Sequence, residues 1–429
     1  MNRRDSLKLG AGLMLGAALP GTMSHVYALP AQADARFLLV FLRGGYDAAN
    51  VLIPAGSDFY YASRPNLAIR RPAPDDPAAA LPLGAAFDRD QAARAIGDWA
   101  LHPALAATVL PLWQRGQVAF VPFAGTDDLS RSHFETQDSI EAGMADAKGA
   151  GVERGSGFLN RLALAMGGRA APVAFTDGLP LVLSGAQRVP NVSLKGAARA
   201  PFDARQTRML AQMYAGTRFS AAIDEGFELR QTVAQQAGAM NPGNASTMTA
   251  REQEMQAANR RALSARGFEV EARRMAGLMR DQFNLGFIDV GGWDTHVNQG
   301  GAQGQLAGLL DNLGRGLSGF AEEMGPAWDR TVVVVVSEFG RTFRENGTRG
   351  TDHGHGSAYW VAGGAVRGGR IAGEQVEVSQ QTLNQNRDWP VLNEYRAMLG
   401  GLFRRMYGLD EARLARVFPG ARPRDIGLV

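Results

Sequence analysis

Thr331-Val332-Val333-Val334-Val335-Val336-Ser337-Glu338-Phe339-Gly340-Arg341-Thr342 is the stretch that decides how the rest of the chain is read. Five consecutive valines without polar alternation suit a strand covered on both faces, because a strand with one wet face alternates apolar and polar residues. Such strands belong to mostly parallel sheets with helices above and below. The run ends in Ser337-Glu338-Phe339-Gly340-Arg341, an odd place for spare charge. In open α/β sheets ligands bind beyond the carboxyl ends of the strands.

Similar apolar runs occur at Phe37 to Leu42, Val118 to Phe123, Val173 to Phe175, Leu285 to Val290 and Tyr359 to Ala362. Between them lie helical patterns. Leu306, Leu309, Leu310, Leu313, Leu317 and Phe320 make a stripe of 3.6-residue period that stops near Gly325-Pro326. Helical stretches also cover Arg205 to Gln236 and Ala250 to Asp281, with a linker at Ala237 to Ser246, and Pro72 to Pro82 reads as a surface loop. Strands alternating with helices predict an α/β fold: one mostly parallel central sheet with helices on both sides. Residues 34–429 read as a single domain with a helical insertion around 205–281.

The chemically unusual residues cluster at the ends of these strands. Arg43-Gly44-Gly45-Tyr46-Asp47 follows the first, and Ser130-Arg131-Ser132-His133-Phe134-Glu135 comes soon after the second. Gly292-Trp293-Asp294-Thr295-His296 follows the run ending at Val290, and Asp352-His353-Gly354-His355-Gly356 stands just before the last strand. Four of the six histidines of the chain lie in these motifs. Carboxylates and imidazoles without thiolates suit Zn²⁺, Mn²⁺ or Fe. Asp47, Asp294, His296, Glu338, His353 and His355 are accordingly the candidate ligands of one or two divalent ions, Zn or Mn. Ser130 or Ser132 reads equally as the N-cap of the following helix, with Glu135 completing a capping box. His102, before Pro103 at a helix start, reads as structural.

Composition narrows the classes further. The chain has 429 residues and no cysteine, which excludes disulfides, thiolate ligands and a cysteine nucleophile. The formal charge is +3, of which Arg3, Arg4, Lys8 and Asp5 carry +2, so the remainder at +1 offers no footprint for nucleic acid. Residues 1–33 read as a signal: Arg3-Arg4 in a basic segment, an apolar stretch from Leu9 to Leu19, and small-residue sites at Val26-Tyr27-Ala28 and Ala31-Gln32-Ala33. The apolar stretch falls short of the roughly 20 residues that span a bilayer. The paired arginines resemble the twin-arginine motif read by the pathway that exports folded chains, which predicts a periplasmic protein without a stable membrane span.

In combination, Arg43-Gly44-Gly45-x-Asp47, Gly292-Trp293-Asp294-x-His296, Ser337-Glu338-Phe339-Gly340-Arg341-Thr342 and Asp352-His353-Gly354-His355-Gly356 resemble a widespread family of exported bacterial proteins of unknown function with twin-arginine signals. That family in turn looks like a distant branch of the alkaline phosphatase and sulfatase superfamily. The resemblance implies a three-layer sandwich, Asp47 as the first-strand ligand, and Ser130 or Ser132 near the nucleophile position. It also implies Asp294 and His296 as the Asp/His pair, here more closely spaced than usual, and His353 or His355 as the last ligand. Glu338 stands where an Asp-His dipeptide would end the strand, and Phe339 replaces the histidine.

The expected function is therefore a periplasmic metal-dependent hydrolase of phosphate or sulfate esters. Ser132, Ser130 or a bound water would attack, with Arg341, Arg43 or Arg131 neutralising the oxyanion. The alternative is a non-catalytic envelope protein for binding or assembly that keeps the fold and the metal. A redox-cofactor role is disfavoured, because the chain lacks cysteine and has no Gly-x-Gly-x-x-Gly opening a helix after its first strand.

Overall fold

The valine run is strand β9 (Thr331–Ser337), in the interior of a nine-stranded sheet. Across the sheet the order is β11 (Arg370–Ile371), β5 (Val118–Gly125), β10 (Ser357–Ala362), β9, β1 (Arg36–Leu42), β8 (Leu285–Gly291) and β6 (Pro172–Ala174). Two short strands join off this path, β12 (Asn393–Glu394) on β5 and β7 (Leu263–Ser264) on β8. Strands β2 (Leu52–Pro54), β4 (Trp99–Leu101) and β3 (Leu81–Pro82) form a separate small antiparallel sheet. The computed structural model describes residues 35–84, 99–144, 155–194, 212–214, 216–217, 259 and 262–429. The expected signal at 1–33, the linker at 237–246 and nearly all of the helical stretch at 205–236 lie outside the described residues.

Strand β10 runs antiparallel to its neighbours β5 and β9, and every other pairing in the large sheet is parallel. The register sets Leu42 beside both Val290 and Ser337. The turn after β1, the loop after β8 and Glu338 after β9 thus emerge at one edge. Because β10 is reversed, its amino end, with Ser357 opposite Ala124 near the end of β5, meets that same edge. One antiparallel strand is what lets Asp352-His353 join groups that follow parallel strands.

The α-helices that accompany the sheet include α1 (Asp58–Ser63), α2 (Val109–Gln114), α3 (His133–Ala142), α4 (Phe158–Met166), α5 (Phe268–Asp281), α6 (Gln305–Met324), α7 (Tyr395–Tyr407) and α8 (Glu411–Val417). The strands divide their side chains between two cores. Leu38, Val40, Leu42, Val333 and Val335 pack in one cluster with Met275 of α5 and Leu310 and Leu313 of α6. Phe37, Leu39, Phe41, Val332, Val334 and Val336 pack in the other with Leu162 of α4, Phe403 of α7 and Val417 of α8. All five valines are buried, each burial favouring the fold by about 1.5–3 kcal/mol. The result is an α/β sandwich of helices, mostly parallel sheet and helices.

Two expectations about local structure need correction. Of the helical stretch expected over 250–281, residues 250–258 and 260–261 lie outside the described residues, and 262–267 are not helical: helix α5 starts at Phe268, after Gly267 in a left-handed conformation (φ +81°). Before it, Leu263 and Ser264 are extended and pair with Val290 and Gly291. The expected loop at 72–82 ends in β3, whose Leu81 and Pro82 pair with Leu101 and Ala100. In both places a backbone partner distant in the sequence sets the conformation, and hydrophobic periodicity carries no record of it.

Candidate metal centre

Glu338 leaves β9 completely buried, which a carboxylate tolerates only when its oxygens are satisfied. Its Oε1 accepts hydrogen bonds from the Gly44 backbone N–H (2.8 Å), from His133 Nδ1 (2.8 Å) and from Gln137 Nε2 (2.9 Å). Its Oε2 accepts from the Ser337 hydroxyl at 2.9 Å. Burial pushes the Glu338 pKa up, but His133 and Gln137 outweigh it and hold the carboxyl at about 2. An ionised carboxylate that only accepts leaves Nδ1–H as the donor and fixes the His133 tautomer.

The other two histidines are held in the same way. His296 Nδ1 donates to Asp352 Oδ1 at 3.2 Å, and His353 Nδ1 donates to the Arg131 carbonyl at 3.1 Å. All three rings therefore turn Nε2 inward. His296 Nε2 stands 2.9 Å and His353 Nε2 3.5 Å from Asp294 Oδ1, and His133 Nε2 lies 3.8 Å from Asp294 Oδ2. At that last distance no hydrogen bond forms, and the buried His133 Nε2 has no hydrogen-bond partner. His296 Nε2 and His353 Nε2 approach to 3.0 Å, so two lone pairs would face each other unless a proton or a cation lay with them. Phe339 closes one side, its ring centroid 4.9 Å from that of His133 and 5.0 Å from that of His353.

The electrostatics ask for positive charge. Burial raises the Asp294 pKa, yet His133, His296, His353 and Arg341 together hold it far below the usual carboxylate range. Burial lowers the His133 pKa, but Asp294 and Glu338 lift it to about 9. Two buried carboxylates thus draw a proton onto His133 at neutral pH, at a position where a cation would serve as well. His133, Asp294 and His353 offer ligand atoms all within 4.8 Å of one another, so the group could hold a metal ion. The inward Nε2 atoms and outward Nδ1 anchors are what such a centre requires, since a ligating histidine usually donates its other N–H to a carboxylate or carbonyl.

The structure brings Asp294, His296 and His353 together, with Glu338 joining through His133. Asp47 and His355, the other expected ligands, are not part of the group that could hold a metal ion. Asp47 is bound by Arg64 Nη1 (2.5 Å) and Nη2 (3.0 Å) and by Gln299 Nε2 (2.6 Å), so both its oxygens are taken. His355 lies beside Arg131, Asp127 and Asp128, bonded to the Asp128 backbone, with a pKa lowered by burial and by Arg131. His133 is the ligand candidate that sequence reasoning passed over, because the first residue of a helix reads equally well as part of its cap.

The arginines also differ from expectation. Arg341 is buried, with Nε on the Gly45 carbonyl, Nη1 on Thr351 O (3.0 Å) and Nη2 shared among Gly44 O, Trp293 O and Asp294 Oδ1. It holds a ligand in place and has no free face for an oxyanion. Arg43 is likewise occupied, by Asp289 (2.7 Å), Gln137 (2.9 Å) and Glu141 (2.8 Å). Arg131 is half-buried, its Nη2 on Asp388 (2.8 Å) and Gln385 (3.1 Å), and its buried Nε has no partner. Ser130 spends its hydroxyl on Asp128 Oδ2 and Thr136 Oγ1, both at 3.2 Å. Ser132 occupies the N-cap of α3 without a side-chain capping bond, so no capping box forms there. His102, as expected, is structural: it is buried, its Nδ1 accepts from Ala104 N–H, and its Nε2 donates to Gly301 O.

Fold and site together define an α/β protein with a His/Asp group able to hold a metal ion at the carboxyl edge of its sheet. Residues 34–418 match the family described as "Protein of unknown function (DUF1501)", and the chain belongs to that family. No curated protein and no solved structure matches the chain. Among the described residues, no helix is long and apolar enough to cross a membrane.

Proposed function

We propose that this chain is an exported hydrolase of phosphate or sulfate esters that works in the periplasm with one divalent ion, Zn or Mn. The observation that carries this reading is the convergence of three anchored imidazoles on Asp294 at the carboxyl edge. His133, Asp294 and His353 would hold the ion, with His296 at their side. Imidazole and carboxylate donors suit Zn²⁺ and Mn²⁺ above Mg²⁺ or Ca²⁺. When bound, such an ion polarises an ester oxygen and lowers the pKa of water.

The remaining steps fall to the protein's own groups. Asp352 orients His296 so that Nε2 can take a proton. Arg131, half-buried with its carbonyl on His353 and its Nη2 shared with Asp388 and Gln385, is the least enclosed of the three arginines and would meet an anionic ester, since Arg43 and Arg341 are buried. Neither Ser130 nor Ser132 hydrogen-bonds a histidine among the described residues, which favours attack by water over a serine nucleophile. The same observation supports a second reading, a non-catalytic envelope protein that keeps the metal for binding or assembly.

Metal analysis and turnover of nitrophenyl phosphate and sulfate by the purified chain separate these readings. Zinc or manganese near one equivalent with hydrolysis lost in Asp294→Asn supports the enzyme. Stoichiometric metal without turnover of any ester supports the binding role, and absence of metal under saturating Zn²⁺ and Mn²⁺ refutes both. For export, replacing Arg3 and Arg4 together by Lys should retain the chain in the cytoplasm, because the twin-arginine pathway reads the pair and not charge alone. Normal periplasmic accumulation of that variant would rule the pathway out.

A further inference from the structure

Gln299 is fully buried and stands three residues after His296. Its Nε2 donates to Asp47 Oδ2 at 2.6 Å. Its Oε1 accepts two hydroxyls, from Thr295 at 2.7 Å and from Thr351 at 3.0 Å. The amide cannot be reversed: a carboxylate only accepts, so Nε2 must face Asp47, and Oε1 is left to the threonines. Thr295 stands between Asp294 and His296, and Thr351 precedes Asp352 and His353. One side chain therefore touches both loops that carry the converging groups.

The backbone shows the same coupling. Thr351 N–H donates to Thr295 O (3.2 Å), Gln299 N–H to Arg349 O (2.9 Å) and Asn298 N–H to Thr348 O (3.0 Å). At Gly350 the loops are so close that a β-carbon would fall 2.2 Å from the His296 carbonyl oxygen. Behind Gln299, Asp47 is gripped by both terminal nitrogens of Arg64, which also bonds the carbonyls of Thr342 and Phe343. Asp47, Arg64, Thr295, Gln299 and Thr351 are all buried. A satisfied polar network in a low-dielectric interior is stiff, because each broken bond strands a buried polar group.

We infer that Gln299 is a positioning residue that fixes the Asp294–His296 and Asp352–His353 loops against each other, with Asp47 and Arg64 as its anchor, and so sets the affinity of the centre for its ion. The inference rests on the metal reading given above. It also gives Asp47 a role: this aspartate serves the centre from behind the ligands.

The test uses the full mature chain, stripped of metal, in three variants: Gln299→Leu, Thr351→Val and, as a remote control, Asn160→Ala. Asn160 is buried at α4, where it holds the carbonyls of Leu183 and Gln187. Zn²⁺ affinity is read by competition with a chromophoric chelator, and backbone hydrogen exchange is followed over 294–299 and 348–353. Gln299→Leu should bind Zn²⁺ about 10–100-fold more weakly, the usual range for loss of an outer-shell partner, and should exchange faster in both loops. Thr351→Val, nearly isosteric, should shift affinity in the same direction by a smaller factor. Asn160→Ala should lose melting temperature yet keep wild-type affinity and loop exchange. Wild-type affinity in folded Gln299→Leu and Thr351→Val would overturn the inference. If the wild-type chain itself takes no Zn²⁺, the metal reading falls, and unchanged exchange in Gln299→Leu would show separately that the loops need no such fastening.

Discussion

Each histidine of the centre is defined by what holds its outer nitrogen. Glu338, Asp352 and Arg131 O take the three Nδ1 hydrogens, and the buried His133 Nε2 is left without a hydrogen-bond partner. His133→Ala and His353→Ala should therefore each lower bound Zn²⁺ at least tenfold, while His355→Ala keeps it, as metal analysis after dialysis would read. Equal loss in all three would disprove the assignment. Glu338→Gln should weaken binding by about 10–100-fold while retaining the fold, because it removes the charge that fixes the His133 tautomer. His102 supports a prediction of another kind. Burial depresses its pKa from 6.5 to about 4, against a small opposing effect of the Gly301 hydrogen bond. The unfolded chain then binds the extra proton first, so stability rises with pH between 4 and 6.5. Its contribution is full above 6.5 and is lost as the pH falls toward 4. His102→Asn keeps an acceptor for Ala104 N–H but does not titrate. Denaturation of both proteins across this range should show the wild type losing ground to the variant as the pH falls, and a constant difference would sink the idea.

At the scale of the element, six strands of the large sheet (β1, β5, β6, β8, β9 and β10) were legible, while the short strands β2, β3, β4, β7, β11 and β12 were not, nor were the neighbours of any strand. The valines of β9 divide between two cores because a strand sends successive side chains to opposite faces, and both faces are dry. The strand-end motifs were also legible, since buried carboxylates and imidazoles cluster for chemical reasons. What the sequence hid were pairings. Asp47 looks like a ligand after the first strand until Arg64, from the end of α1, takes both its oxygens. Arg341 looks like a free cation until its donors are found on the carbonyls of Gly44, Gly45, Trp293 and Thr351. Neither pairing has a local signature. Gly44 is where an element's geometry meets the site: its φ is +120°, and a β-carbon there would lie 2.6 Å from the Asp294 backbone nitrogen. Gly44→Ala should strain the turn and displace Asp294, lowering Zn²⁺ affinity by at least tenfold together with a fall in melting temperature. A folded Gly44→Ala protein with unchanged affinity would show that the close approach is incidental.

Across the whole molecule, the centre joins pieces far apart in the chain: α3 after β5, the loops after β1 and β8, the end of β9 and the reversed entry into β10. A chain without cysteine has no disulfide to tie these pieces together. At their meeting point it keeps Asp294 and Glu338 buried and ionised beside three imidazoles. An ion bound only by the folded state would offset that concentration of charge and close the loops at once. Linkage gives the size: at a free metal concentration 100 times Kd, the fold gains about 2.7 kcal/mol. The melting temperature of the metal-stripped protein should therefore climb with the logarithm of added Zn²⁺ once Kd is exceeded, and chelator should reverse the climb. The slope should vanish in Asp294→Asn, whose side chain no longer supplies an anionic ligand, and persist in His355→Ala. A rise of the same slope in Asp294→Asn would place the stabilising ion elsewhere on the molecule. A wild-type melting temperature indifferent to Zn²⁺ and Mn²⁺ would mean that the proton on His133 already balances the buried carboxylates.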